Sequence, residues 1–396
     1  MMGPLTGIRI LDLTRVLAGP FATMVLADLG AEVIKVENLA LGDDSRAYGP
    51  FIRAQSAYFM SLNREKKSIA LNLNHDKGRQ ILLELVKISD ILVENFRGPA
   101  TMDKLKIGFN VLKDINPKLI YASCSGFGCT GPYTNKPAYD ITIQAMGGIM
   151  SLTGEPDGQP VRVGTSIGDI VAGLFTAIGI LSALNVRTRN GRGQKVDVSM
   201  LDCQIAILEN AIARYFATGE VPGPLGTRHP SITPFERFRS KDGFIVIAAG
   251  NQPLWVKLCN ALRKSELLED PRFKDNDLRT QNQPQLKKII EQATTEKTTR
   301  EWINVLGNEG IPCSPVNTIA DVVKDPQLQA RNMLVEILHP VAGKTVMPNL
   351  PIKFSDTPAG VRGPAPLHGE HTEEVLSELL GLSQHDIEQL KVEKVI

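Results

Sequence analysis

The chain has 396 residues, room for two domains or one large domain with an appendage. Hydrophobic residues make up 42% and charged residues 22%, the balance of an ordinary soluble globular protein. With 44 basic and 43 acidic side chains the formal net charge is +1, which leaves no electrostatic footprint for nucleic acid or an anionic membrane.

In chain order, GIRILDL (7–13) reads as a buried strand. Pro20 opens a helix, Met24, Val25 and Leu29 follow at helical spacing, and Gly30 fits the C-terminal cap. AEVIKVE (31–37) is the next strand, so 7–37 form a βαβ unit. KSIALNL, DKGRQILLELVKIS and DILVENF (67–96) repeat the pattern, and NVLKDINP leads into KLIYASCSG. Strands with so few polar interruptions, alternating with crossover helices, predict a parallel sheet covered on both faces.

The apolar run at 169–184 is interrupted by Asp169, two glycines and Thr176, and predicts a buried helix, not a membrane span. DVSMLDCQIAILENAIARYFATGE (197–220) predicts one long helix. The Gly- and Pro-rich stretch 219–234 reads as a linker or lid. FERFRSKDGFIVIAAG reads as a hairpin and, with helices near 252–263 and 298–309, makes a smaller α+β module over 235–325. Pro-containing turns at 312–315 lead to antiparallel strands in EILHPVAGKTVMPNLPIKF, and GEHTEEVLSELL is a capped helix.

Several motifs fail on context. GFGCTG (126–131) matches G-x-G-x-x-G, but a loop with two prolines follows where dinucleotide binding needs a helix. AGKT (342–345) ends like a P-loop, yet Leu338 holds the place of its first glycine. His368 and His371 are three apart with no third ligand nearby, which suits a turn and cap better than a metal pair. Cys124, Cys129, Cys203, Cys259 and Cys313 are odd in number and widely spaced, so neither a disulfide framework nor a zinc site fits. MMGPLTGIRILDL has no basic segment followed by an apolar one, so a cytoplasmic protein is expected.

Asp169, at the mouth of the apolar run, has two compatible readings. It is a helix N-cap accepting backbone N–H bonds, or a carboxylate held ionised by the helix dipole and available as a nucleophile. Arg15, Arg97 and Lys104 each follow a predicted strand, where the carboxyl ends of a parallel sheet form a ligand crevice. They meet a phosphate-bearing ligand there, or they are solvated surface charges.

GIRILDLTRVLAGPFATMVLADLGAEVIKVE, SLNREKKSIALNL, DILVENFRGPA, NPKLIYASCSGFGCTGP, PAYDITIQAMGG, IGDIVAG, GRGQKVDVSM and GEHTEEVL together resemble the class III CoA-transferases. That family includes formyl-CoA:oxalate and carnitine CoA-transferases, and the likeness runs essentially end to end. It implies an α/β fold with a large Rossmann-like domain, its parallel sheet built from both chain ends. Residues 1–218 begin that domain, 326–396 return to complete it, and the α+β domain 235–325 lies between. It also implies two chains interlocked as a homodimer, acyl-CoA and a carboxylic acid as substrates, and no metal.

The resemblance makes Asp169 the catalytic nucleophile. The CoA site carried over is Val16, Leu17 and Ala18, then Leu71, Asn72, Leu73 and Asn74, then Asn95, Phe96 and Arg97, with Lys104 facing phosphates. Tyr139 and Asp140 fall beside the thioester. Asn38 stands where similar proteins often carry Arg, which leaves Arg46 to compensate. Proteins of the α-methylacyl-CoA racemase type are the nearest alternative, but they carry His where this chain has Tyr139, a poor base with an ordinary pKa of about 10. A catalytically silent CoA-binding protein is the other alternative. GTRHPSITPFERF resembles the succinyl-CoA:glutarate type, implying succinyl-CoA as donor and a dicarboxylate such as glutarate as acceptor. Arg228 and His229 then receive the remote carboxylate, or else remain surface groups of a loop.

Overall fold

Apolar runs form the first strands of the computed structural model, which describes residues 3–396. In chain order these are β1 (Arg9–Asp12), β2 (Glu32–Asn38), a short ribbon of β3 (Phe51–Ile52) and β4 (Gln55–Ser56), β5 (Lys67–Leu71), β6 (Ile91–Glu94), β7 (Ile120–Ser125) and β8 (Lys195–Ser199). Six of them make one sheet in the order β5-β2-β1-β6-β7-β8. Every pairing in it is parallel, with Leu11 opposite both Ile34 and Leu92.

Side-chain alternation along the strands gives the sheet two apolar faces. Leu11, Ile34 and Leu92 pack with Leu82 and Leu85 of the helix Asp76–Lys87 on one of them. Ile10, Val33 and Ile91 pack on the other with Leu26 of the helix Ala18–Asp28 and Ala177 and Ile180 of the helix Ile167–Asn190. The chain leaves β1 to one side through β2 and β5, and to the other through β6, β7 and β8. This is the doubly wound order, whose ligand crevice lies beyond the carboxyl ends of the strands flanking the reversal. Here those strands are β1 and β6.

An exposed edge strand is a liability, and β5 is covered by the C-terminal segment. Ser68 O accepts from His371 N at 2.9 Å, Ala70 N donates to Thr372 Oγ1 at 3.0 Å, and Asn72 N donates to Val395 O at 2.8 Å. The residues through Ile149 thus form one compact unit with Arg162–Ala217 and Gln327–Ile396.

A second unit comprises Met150–Val161 and Thr218–Pro326. Its strands β9 (Phe235–Arg239), β10 (Phe244–Ala248) and β11 (Cys313–Pro315) pair antiparallel in the order β11-β10-β9. Phe238, Trp255, Phe273 and Trp302 fill its core. Arg279, only 1% exposed there, is satisfied by Thr233 O, Phe273 O and Gln252 Oε1 at 2.9 to 3.1 Å. Beyond it the first unit resumes with the hairpin β12 (Leu334–His339) and β13 (Gly343–Pro348).

Three local expectations are corrected. Residues 197–220 are not one helix, because Val196 and Val198 alternate with polar residues and join the sheet as β8. Ser199 then caps the helix Met200–Ala206, and a separate helix spans Ala211–Thr218. The Pro-containing segment 312–315 carries β11, an edge strand, where a proline that cannot donate is tolerated. Finally, the helix Ile167–Asn190 is buried on one side only, with Leu174, Phe175, Ile178 and Leu181 forming an exposed apolar stripe. By length and composition alone it is the one helix among the described residues that could cross a membrane.

Candidate active site

The helix Ile167–Asn190 has Ser166 at its N-cap position, so Asp169 is the third residue of the first turn and not the cap. The capping role falls to Asp140, whose Oδ1 accepts from Gly168 N at 2.9 Å while Gln144 Nε2 donates to its Oδ2 at 2.7 Å. Arg162 adds an ion pair to Asp140 at 3.5 Å. Among the described residues no hydrogen bond or ion pair reaches the half-buried Asp169 carboxylate. Burial, and after it the Asp140 charge, push its pKa up from the ordinary 3.8 to about 7. The expectation of a carboxylate held ionised by the helix terminus is therefore corrected: a first-turn amide that could help is spent on Asp140, which then adds its own repulsion.

The glycines flanking Asp169 have a steric cause. A Cβ on Gly168 would lie 3.1 Å from Asp140 Oδ1, and one on Gly173 would lie 2.8 Å from Ala18 O. The glycines let the Ala18–Asp28 helix and Asp140 close around Asp169.

Asp169 opens on a cavity of about 390 Å³ at the carboxyl ends of β1 and β6. Val16, Leu17, Ala18, Asn95, Phe96, Arg97 and Tyr139 all line it. A second cavity of about 260 Å³ is lined by Leu71, Leu73, Asn74 and Asn38. Arg15, Asp44 and Phe96 belong to both, so the two are parts of one groove. The switch point of the sheet thus gathers, from far apart in the sequence, most of the residues carried over by resemblance.

Some of those residues sit elsewhere. Asn72 donates to Lys394 O and accepts from Asn74 N, lining neither cavity. Lys104 ends the helix Pro99–Lys104, exposed and outside both linings. Asp140 acts behind Asp169, through Gly168. Asn95 lines the groove, but its amide group is spent on the main chain, accepting from Arg15 N at 2.9 Å and donating to Arg15 O at 2.8 Å. Arg46 does not compensate for Asn38: its guanidinium is held by Glu37 at 2.6 and 2.7 Å and stacked over Phe59. Asn38 itself forms a turn, accepting from Ala40 N and Leu41 N. Arg228 and His229 belong to the second unit, where His229 Nδ1 accepts from Ser231 N, and neither lines the groove. His368 and His371 hold the fold together, through Asn38 O and Ser68 N respectively.

Other neighbours of Asp169 escaped the sequence reading. Lys136 and Cys124 line the same cavity. Tyr58 lies close enough that burial, followed by the Asp169 charge, lifts its pKa to about 12, and its ring meets Tyr48 edge-on at 5.6 Å. Nothing in SAYFMSLN marks that tyrosine, since the packing that brings it there is long-range.

Comparison with known proteins agrees with this picture. The succinyl-CoA:glutarate CoA-transferase of Mus musculus is 41% identical over 396 residues, covering 100% of this chain and 91% of that protein. The acetyl-CoA:oxalate CoA-transferase of Acetobacter aceti is 46% identical over 354 residues, covering 89% and 90%. The crystal structure of a CAIB/BAIF family protein from Brucella suis matches with a TM-score of 0.85 at 39% identity, over 96% of this chain and 100% of that one. The pattern of CoA-transferase family III matches residues 5–372, so this chain belongs to CoA-transferase family III and is an enzyme that transfers CoA.

Proposed function

We propose that the enzyme moves CoA from succinyl-CoA to a dicarboxylic acid such as glutarate, through covalent intermediates on Asp169. The observation that carries this reading is the unpartnered Asp169 carboxylate facing a groove at the sheet's switch point. A structural carboxylate buried to this degree would have found a partner.

In the first step an Asp169 oxygen attacks the donor thioester carbonyl, the C–S bond breaks, and CoA leaves as thiolate, giving a mixed anhydride. The thiolate then attacks the Asp169 side-chain carbonyl, releasing the donor acid and leaving an aspartyl-CoA thioester. The acceptor carboxylate attacks that carbonyl, expelling thiolate and forming a second anhydride. Attack of the thiolate on the acceptor's carbonyl makes the new thioester and frees Asp169. A carboxylate suits the part because its anhydride and thioester are close in energy to those of the substrates.

The surrounding groups fit these charges. Leu17 and Ala18 lie at the start of an 11-residue helix with no side-chain cap, so its free amides can stabilise a developing oxyanion. Arg97 and Lys136 give the cavity positive charge for phosphates and acid substrates, while Arg15 is paired with Asp44 at 3.1 Å. The names of the mouse and Acetobacter relatives support acyl-CoA donors and carboxylate acceptors.

Incubation with succinyl-CoA and glutarate, oxalate, acetate or carnitine tests the assignment, with new thioesters read by mass spectrometry. Glutaryl-CoA formation is the expected result. Transfer to oxalate alone would overturn the acceptor, and no transfer to any acid would overturn the reaction.

The homodimer belongs to the same reading and is supported by the exposed Leu174, Phe175, Ile178 and Leu181 stripe. Sedimentation is expected to give twice the chain mass of 43.2 kDa, and the mass of a single chain at micromolar concentration would contradict it.

A further inference from the structure

Between β1 and the Ala18–Asp28 helix, residues 14–16 have no strand or helix partner for their main chain, and side chains supply what is missing. Thr14 N donates to Asp12 Oδ1 at 2.9 Å, and Thr14 O accepts from Lys35 Nζ at 2.7 Å. Arg15 N and Arg15 O are both taken by the Asn95 amide, at 2.9 and 2.8 Å. Val16 N donates to Asp43 Oδ1 at 3.1 Å. Five successive main-chain polar groups are thus held by side chains from four separate segments.

The last of these bonds falls on a strained residue. Val16 has φ +66°, in the left-handed region that a β-branched side chain strongly disfavours. Such a conformation persists only where the surroundings over-determine it, and it concentrates at functional sites. Asp43 is itself locked in place: its Oδ1 also accepts from Ser45 N and Ser45 Oγ, its Oδ2 lies 2.8 Å from Lys35 Nζ, and its own N donates to Glu37 Oε2. Both Lys35 and Asp43 are buried. The residues that follow Val16 are Leu17 and Ala18, which line the same cavity as Asp169.

We propose that Asp43 is a positioning residue: by accepting the Val16 amide it keeps Val16 at positive φ, and so fixes the direction in which the chain carries Leu17 and Ala18 to the acyl end of the groove. Without that acceptor the loop relaxes to negative φ, and the helix start no longer faces the reacting carbonyl. Asp43 lines the second cavity of the groove but not the one onto which Asp169 opens, so its effect at the acyl end passes through the backbone of its neighbour. The inference rests on the Asp169 reading given above.

The test is a double-mutant cycle in the full-length enzyme, reading kcat, KM and Tm for CoA transfer. Asp43→Ala removes the acceptor and is expected to lower kcat by about ten- to a hundred-fold, the population penalty of one disfavoured backbone conformation. Asp43→Asn keeps a carbonyl oxygen for Val16 N but withdraws the charge that Lys35 faces, so Tm is expected to fall while kcat stays well above that of Asp43→Ala. In the Val16→Gly background positive φ carries no steric cost. There the kcat loss caused by Asp43→Ala is expected to shrink to about threefold or less. An equal loss in both backgrounds, or a kcat that tracks Tm across all variants, would overturn the positioning role while leaving Asp169 catalysis intact. Should Asp43→Ala fail to fold, Asp43→Asn decides: because it keeps the acceptor for Val16 N, its kcat is expected to stay within about threefold of the parent, and a loss of about tenfold or more that Val16→Gly does not relieve overturns the proposal. Loss of transfer in the parent enzyme itself would instead overturn the underlying reading.

Discussion

Replacing Asp169 with Asn is expected to slow CoA transfer by about 10⁴- to 10⁶-fold, the range seen when a covalent nucleophile is removed. Acyl-CoA binding is expected to survive, since the groove is lined by many other residues. The same variant is expected to be more stable than the parent at neutral pH. Burial and Asp140 lift the Asp169 pKa from 3.8 to about 7, so the native state holds a proton that the unfolded chain gives up. The native state therefore loses relative stability as pH rises from about 4 to about 7, and an uncharged amide escapes that loss. The displacement caps the gain at about 4 kcal/mol. Activity has the opposite dependence: attack needs the ionised form, so kcat/KM of the parent is expected to rise with pH through about 7. A pH–rate profile together with thermal melts of both proteins checks these statements. A less stable Asp169→Asn protein, or a profile flat across neutral pH, would contradict them.

Asp12→Ala is expected to be the most damaging change away from the groove, costing about 3–5 kcal/mol as befits removal of one partner of a buried ion pair. Asp12 and Lys66 are both fully buried and lie 2.9 Å apart. Asp12 also accepts from Thr14 N and, at 2.7 Å, from Thr23 Oγ1. Lys66 Nζ donates further to Pro20 O and Asn63 Oδ1, so the pair ties β1 to the Ala18–Asp28 helix and to the segment before β5. Burial disfavours the Asp12 charge, but Lys66 and Lys35 outweigh it and hold the carboxyl well below its ordinary 3.8. Its contribution is therefore present above about pH 4 and is lost as pH falls toward the native pKa. Urea unfolding of parent and variant at pH 7 and under acid conditions measures both effects. A cost below about 1 kcal/mol would show that the interior tolerates the loss, as replaced buried pairs sometimes do.

How much of this was legible beforehand depended on the range over which each feature is determined. The strands β1, β2, β5, β6 and β7 are apolar runs between turn residues, and local reading found them. β8 was missed because Lys195–Ser199 is short and runs into an apolar stretch that extends a helical pattern. β11 was missed because it is three residues long and contains a proline. Asp169 stood out as a lone charge in an apolar segment, yet its place in the first turn was off by a cap. The helix starts at Ile167, with Asp140 from another segment completing its end. Asp140 drew notice only through resemblance, and its local sequence says nothing about which amide it will meet.

The groove shows the same division. Arg15 and Arg97 were marked because both follow strands, and the sheet order brings both strand ends to one crevice. Lys104 also follows a predicted strand, but it ends the helix Pro99–Lys104 and lines neither cavity. By sequence alone Arg46 is an available cation, but the fold commits its guanidinium to Glu37. The cradle around residues 14–16 could not be read from sequence at all. Asp43 acts across 27 positions and Asn95 across 80, and only the folded sheet brings them to the same loop.

The most direct measurement is to mix the enzyme with succinyl-CoA alone, quench with hydroxylamine, and map the product by peptide mass spectrometry. Hydroxylamine converts an acyl anhydride or thioester on a carboxylate into a stable hydroxamate. Catalysis through Asp169 requires that hydroxamate at Asp169, dependent on succinyl-CoA and absent from Asp169→Asn. A hydroxamate at another carboxylate, or none at all while CoA transfer proceeds at its full rate, would contradict it.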